Sequence, residues 1–186
     1  MRIISGICRG KKLIIPDNKF TRPLKDLVKE SIFNLITHSN KITVNIEKSN
    51  VLDLFSGSGS FGLECISRGS SKVVFFENQR SILKVLKQNI NSIDKENIST
   101  IYEFDVINFF ASQEKFYNKF NIIFLDPPYK EKRINEIIEN ILRKKILRKD
   151  GIMIIHRHKN DKINITNKLN IIDLRTYGIS RIYFAN

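Results

Sequence analysis

Cysteine is nearly absent from this 186-residue chain, and the two that occur, Cys8 and Cys65, stand far apart. They form neither a disulfide framework nor a redox or metal spacing, which points to a reducing compartment. Three histidines, at 38, 156 and 158, are too scattered to suggest a metal site. No apolar run is long enough to cross a bilayer, and the opening MRIISGICRG lacks the apolar centre of a signal peptide. Internal repeats and Pro/Gly/Ser linkers are missing as well. The expectation from these absences is a soluble, cytoplasmic protein with no membrane partner and no metal.

Acid is the remaining shortage. Asp and Glu number 19 against 32 Lys and Arg, giving a formal charge of +13 and a pI near 9.8. A basic surface gains affinity for a polyanion by neutralising phosphates and releasing counterions, so nucleic acid is the expected partner. Residues 1–50 hold ten Lys/Arg against four Asp/Glu. RKKILRK at 143–149 is a second basic stretch, which a solvated helix face explains equally well. With 41% hydrophobic residues, the chain can still bury a sizeable core.

The apolar pattern changes near residue 50. Before it, RIISG and KKLIIP read as a hairpin around a glycine turn. TRPLKDLVKESIFNLITHS then reads as a helix, with Thr21 near its N-cap, Pro23 in the first turn, and Leu24, Leu27, Val28, Ile32, Leu35 and Ile36 on one face. After it, VLDLF, KVVFFE, ISTIYEF, NIIFLD, GIMIIH, IIDLRTY and SRIYFA read as strands, most of them separated by helical stretches. Such alternation implies right-handed crossovers and a mostly parallel sheet with helices on both faces. The predicted fold is therefore α/β and Rossmann-like. It has a seven-stranded, mostly parallel sheet with an antiparallel C-terminal strand and a small N-terminal hairpin and helix. The expected division is 1–48 for that extension and 49–186 for the main domain.

Ligands of such sheets sit at the carboxyl ends of the strands. There, DLFSGSGSFG places Asp53, Phe55, Gly57, Gly59 and Gly62 at the first strand-to-helix turn, and Glu77 ends the second strand. Glycines allow backbone N–H groups to approach a ligand, and the distal acid can take both ribose hydroxyls. A dinucleotide would share those features, but Asp53 would repel a pyrophosphate. An adenosine cofactor with a cationic amino-acid tail fits better, namely S-adenosylmethionine. Asp105 fits two roles, an acceptor for an adenine amine or the N-cap of the helix VINFFAS.

The acid in FLDPPYK ends another apolar run, and two prolines behind it terminate the strand abruptly. An exocyclic base amine is a poor nucleophile because its lone pair is delocalised into the ring. The Asp126 carboxylate and the Pro127 carbonyl can hold its two N–H bonds and turn that lone pair toward a methyl donor, so positioning carries most of the rate. Tyr129 offers a face on which an extruded base can stack.

Taken with RIISGICRGKKL and TRPLKDLVKESIFNLI, these motifs make essentially the whole chain resemble the bacterial RsmD family. The resemblance implies a class I methyltransferase that uses S-adenosylmethionine to modify N2 of one guanine in 16S ribosomal RNA, within an assembled or partly assembled small subunit. It also implies cofactor contacts at Asp53, Phe55, Gly57, Gly59, Glu77 and Asp105, and an amine site at Asp126, Pro127 and Tyr129. RNA contacts are implied at Arg2, Arg9, Lys11, Arg22 and Lys29. The chain departs from the family in carrying Leu24, Lys25 and Leu27 where hydroxyl residues and then an arginine are usual. It also has His156 where a carboxylate is common, and His156 and His158 read as surface residues near the cleft rim. Competing readings are an N6-adenine methyltransferase, an NAD-dependent oxidoreductase and a non-catalytic RNA-binding protein. The first would need a base-recognition insertion for which the length leaves no room, the second conflicts with Asp53 and DPPY, and the third with the intact motif pair.

Overall fold

A computed structural model describes residues 1–16, 24–111, 116, 119–161 and 169–186. The first element is an open hairpin, closed by one antiparallel bridge between Arg2 and Lys12. Helix α1 (Asp26–His38) follows it. The sheet is then built from β1 (Asn50–Leu54), β2 (Lys72–Phe76), β3 (Ser99–Tyr102), β4 (Phe120–Leu125), β5 (Leu147–His158), β6 (Ile171–Tyr177) and β7 (Ser180–Ala185). Between them run α2 (Ser60–Ser67), α3 (Arg80–Asn91), α4 (Val106–Ala111) and α5 (Ile134–Arg143). Helix α1 starts three residues beyond Pro23. The N-cap expected at Thr21, the turn at Pro23, and Arg22 lie outside the described residues.

The strand order is β3-β2-β1-β4-β5-β7-β6. Neighbours from β3 to β5 are parallel, and β7 runs antiparallel to both β5 and β6. The seven strands and the single reversed one are those expected from the sequence. Strands β1, β2 and β4 are buried on both faces, which is why they appear as unbroken apolar runs. One face packs Val51, Phe75, Phe124 and Ile154 against the hairpin, α1, α2 and α3. The other packs Leu54, Phe76, Leu125 and Ile155 against α4 and α5.

The hairpin and α1 share the first of these cores through Ile3, Leu13, Val28, Ile32 and Phe33. Phe33 stacks on Phe61, which stacks on Phe124 at 4.0 Å between ring centroids. Leu27, assigned by its spacing to the buried face of α1, is 69% exposed. Close approach is also enforced at Gly6, where a Cβ would lie 1.8 Å from the Ser67 carbonyl oxygen. Cys8 and Ile7 N–H groups donate to the Ser67 hydroxyl and carbonyl from the same turn.

Among the described residues, no helix is long and apolar enough to cross a membrane. Nor do three His, Cys, Asp or Glu side chains gather to hold a metal ion.

Candidate active site

Register carries the sequence motifs to one place. Leu54 pairs with Phe76 and with Leu125, and Leu125 pairs with Ile155. One step past those residues come Phe55, Glu77, Asp126 and His156. All stand at the carboxyl edge, around the point between β1 and β4 where successive crossovers diverge.

Asp53 lies within β1 with 1% of its surface exposed, and its Oδ2 accepts a hydrogen bond from the Gly62 N–H at 3.0 Å. Burial pushes its carboxyl well above the usual range, the Gly62 bond opposes this, and the charges of Asp126 and Glu77 add to it. Glu77 accepts three backbone N–H bonds, from Gly57 at 3.1 Å and from Asn78 and Gln79 at 2.9 Å each. Burial raises its carboxyl as well, against those three bonds.

The turn between these acids is strained and tightly tied. Phe55 has φ 63°, an unusual value for a bulky side chain, and Gly57 and Gly59 follow at 57° and 83°. Ser56 fastens it: its hydroxyl donates to the Asp53 carbonyl at 2.6 Å and accepts the Phe76 N–H at 3.0 Å. A Cβ on Gly57 would meet nothing within 4 Å, so that side of the turn is open, whereas one on Gly62 would strike the Phe75 ring at 2.3 Å. The first glycine leaves room for a ligand; the last lets α2 pack against β2.

The Asp126 carboxylate meets an unexpected partner. His156 Nδ1 lies 2.7 Å from Asp126 Oδ1, and the histidine is only 8% exposed. That corrects its reading as a surface residue. Arg157, the next residue on β5, points to the other face and is also buried. Its guanidinium donates to the carbonyls of Pro127 (3.4 Å), Pro128 (3.1 Å), Tyr129 (3.2 Å) and Glu131 (3.2 Å), and it pairs with Asp161 at 2.9 Å. The prolines thus leave carbonyls for Arg157 to gather. The Pro127 oxygen, expected to face a target amine, lies on this arginine. The Tyr129 ring stands edge-on to His158 at 5.2 Å and to His156 at 6.2 Å.

Other expected site residues fall as follows. Asp105 Oδ1 accepts from the Ile107 and Asn108 N–H groups at 2.9 and 3.2 Å, so it caps α4, and its Oδ2 lies 3.5 Å from Arg133. Arg2, Arg9 and Lys11 are exposed on the hairpin. Lys29 is not available to RNA. It is fully buried, its Nζ donating to the Arg2 carbonyl at 2.7 Å and the Ser60 hydroxyl at 3.2 Å, with Glu64 at 3.7 Å. Burial lowers its ammonium despite Glu64 and Asp26.

His156 and Arg157 are the residues that sequence reasoning missed. Their signal was IIHRH itself, a run of polar side chains continuing a strand predicted to be buried.

Three carboxylates around an open glycine turn, at the diverging point of this strand order, define a class I methyltransferase. The solved structure of Escherichia coli yhhF superposes with a TM-score of 0.84 at 25% identity, covering 100% of this chain and 96% of that one. The chain belongs to the family described as Conserved hypothetical protein 95, which matches residues 1–186. Bacillus subtilis YlbH is 31% identical over 183 residues, 98% of this chain and 96% of that protein. Ribosomal RNA small subunit methyltransferase D of Haemophilus influenzae is 29% identical over 181 residues, 96% of this chain and 90% of that one.

Proposed function

We propose that this protein transfers a methyl group from S-adenosylmethionine to the N2 amine of a guanine in 16S ribosomal RNA, within an assembled or partly assembled small subunit. The observation that carries the reading is the convergence of Asp53, Glu77 and Asp126 beside the open face of Gly57. Three acids near enough for Asp126 and Glu77 to act on Asp53 suit a cationic ligand and oppose a pyrophosphate. When bound, S-adenosylmethionine supplies a methyl group on a positively charged sulfur, which leaves readily.

The chain's own residues bind and orient. Asp53, held toward its neutral form by burial, ionises against an ammonium group brought to the glycine turn. Glu77 accepts from ribose hydroxyls in exchange for part of its backbone bonding. Phe55, Gly57 and Gly59 shape the loop against the cofactor, and Asp105 receives the adenine amine on the oxygen that does not cap α4. Asp126 holds the target amine by one N–H bond so that its lone pair faces the methyl group, and Tyr129 stacks on the base.

Residues 1–48 act as an RNA-docking extension of the methyltransferase domain at 49–186, with Arg2, Arg9, Lys11 and Arg22 on phosphates. A cytoplasmic location accompanies a ribosomal substrate. The supporting similarity is to a relative named for small-subunit ribosomal RNA methylation. The test is incubation of the protein with labelled cofactor and naked 16S RNA, small subunits or duplex DNA, followed by nucleoside chromatography. Label is expected in N2-methylguanine, most of it from particles. Label in N6-methyladenine, or in DNA over RNA, would overturn the guanine reading.

A further inference from the structure

We infer that His156 is a positioning residue for methyl transfer, holding the Asp126 carboxylate in the one orientation that serves the target amine. The inference rests on the proposed amine site at Asp126.

The carboxylate follows the last residue of β4, beyond the ladder that fixes the strand. Its backbone N–H reaches the Leu54 carbonyl only at 3.4 Å. A short acidic side chain there rotates freely unless something holds it. His156, on the neighbouring strand, supplies the hold through the 2.7 Å contact between Nδ1 and Oδ1. Because a carboxylate only accepts, Nδ1 is the donor, and the bond commits Oδ1 to the protein. Oδ2 is left for the amine.

A second observation separates this role from ordinary core packing. His156 Nε2 is buried and has no hydrogen-bond partner among the described residues. An imidazole kept only to fill space would be replaced to advantage by an apolar side chain, because an unpaired buried polar atom lowers stability. The single bond to Asp126 is what the ring is used for. Its immediate neighbours fit that use, since the Tyr129 ring stands edge-on to it and Arg157 immobilises the backbone from Pro127 to Glu131 on the opposite face. One side of β5 thus fixes the carboxylate, while the other fixes the loop that carries it.

In the step itself, the amine lone pair forms the N–C bond as the C–S bond breaks, its electrons going to sulfur to leave a neutral thioether. The proton lost from nitrogen passes to Asp126 Oδ2 and then to water. His156 neither gains nor loses a proton in this sequence. Its contribution is geometric, and a misplacement of about 1 Å in such a group lowers rates on the order of 100-fold.

The experiment compares His156→Asn, His156→Gln and His156→Leu with Asp126→Ala in single-turnover transfer to small subunits at saturating cofactor. An asparagine amide places a donor near Nδ1, a glutamine amide places one near Nε2, and leucine places none. His156→Leu and His156→Gln should transfer roughly 10- to 100-fold more slowly. His156→Asn should recover to within about fivefold of wild type, with cofactor affinity and RNA affinity unchanged in all three. Nitrogen-15 spectra of the wild type should show the proton on Nδ1, and that signature should be lost in Asp126→Ala. Should leucine prevent folding, the asparagine and glutamine pair decides. Equal rates for these two, or a wild-type rate for leucine, would overturn the inference. If Asp126→Ala itself transferred at the wild-type rate, the amine site would be wrong, whereas its loss beside unaffected His156 variants would remove only the positioning role.

Discussion

Removing the Glu77 carboxylate should disturb two quantities that can be measured apart. In Glu77→Ala, the N–H groups of Gly57, Asn78 and Gln79 lose their acceptor at once. Hydrogen bonds to a charged group contribute about 1.5–3 kcal/mol each, but these donors lie at a loop and a helix start where water can replace part of the loss. A stability decrease of roughly 2–4 kcal/mol follows, which for a chain of this size lowers Tm by roughly 5–15 °C. Cofactor affinity should fall by a further, separate amount. One charged hydrogen bond to a ribose hydroxyl, at about 1.5–3 kcal/mol, corresponds to a roughly 10- to 150-fold rise in Kd. Glu77→Gln divides the two effects. Its carbonyl can still serve Asn78 and Gln79, so stability falls less, while its NH₂ opposes the Gly57 N–H and weakens the ribose contact. Calorimetric titration well below each variant's Tm isolates binding from folding. A glutamine variant that binds as tightly as wild type would take Glu77 out of the cofactor site.

Other outcomes follow from the same contacts. Asp53 is held above its ordinary value in the folded chain, so the native state keeps a proton that the unfolded state releases, and stability falls as pH rises from the unfolded value to the raised one; Glu77 has the same sign. Asp53→Asn retains an acceptor for Gly62 and should therefore melt higher than wild type in cofactor-free neutral buffer, match it in acid, and bind no cofactor; a lower Tm at every pH would refute this. Neutralising Arg2, Arg9 and Lys11 together should flatten the salt dependence of RNA binding by roughly two to three units of log–log slope, measured by filter binding, without moving cofactor affinity. Lys29→Met should leave that slope unchanged and lower Tm, since the Arg2 carbonyl and Ser60 hydroxyl lose their donor; a flatter slope would return Lys29 to the RNA surface.

The strands were legible because burial on both faces writes them as uninterrupted apolar runs, and the acids at their ends were legible as the points where those runs stop. Strand β5 begins at Leu147, earlier than GIMIIH suggests, because its first turn of ladder carries Arg148, Lys149 and Asp150 in solvent, where no burial pattern marks a strand. The large misreadings share one cause. Whether a charged or polar side chain is enclosed depends on partners distant in sequence: Glu64 and Ser60 for Lys29, Asp126 for His156, and a group of loop carbonyls for Arg157. Composition near each residue contains none of this. Asp105 illustrates a milder case, since the same carboxylate could serve a helix end or a ligand, and only the fold could show it capping α4.

The hairpin's attachment has a consequence for anyone trimming this chain. Asn89 receives the Ile14 N–H on its side-chain oxygen, while its NH₂ donates to the Ile14 carbonyl and to the Ser58 carbonyl within the glycine turn. Glu64 takes the Ile4 and Ser5 N–H groups, and Met1 reaches the Ser58 hydroxyl with its sulfur. Cutting away the first sixteen residues would remove more than a handle for RNA. It would strip the buried Glu64 carboxylate of two backbone donors, leaving it to Arg68 and Lys29, take the carbonyl from Lys29, and release one side of the scaffolding behind Ser58 and Ser60. A shortened protein would thus arrive with its nucleotide cradle already loosened, and a failure to methylate would say little about RNA recognition.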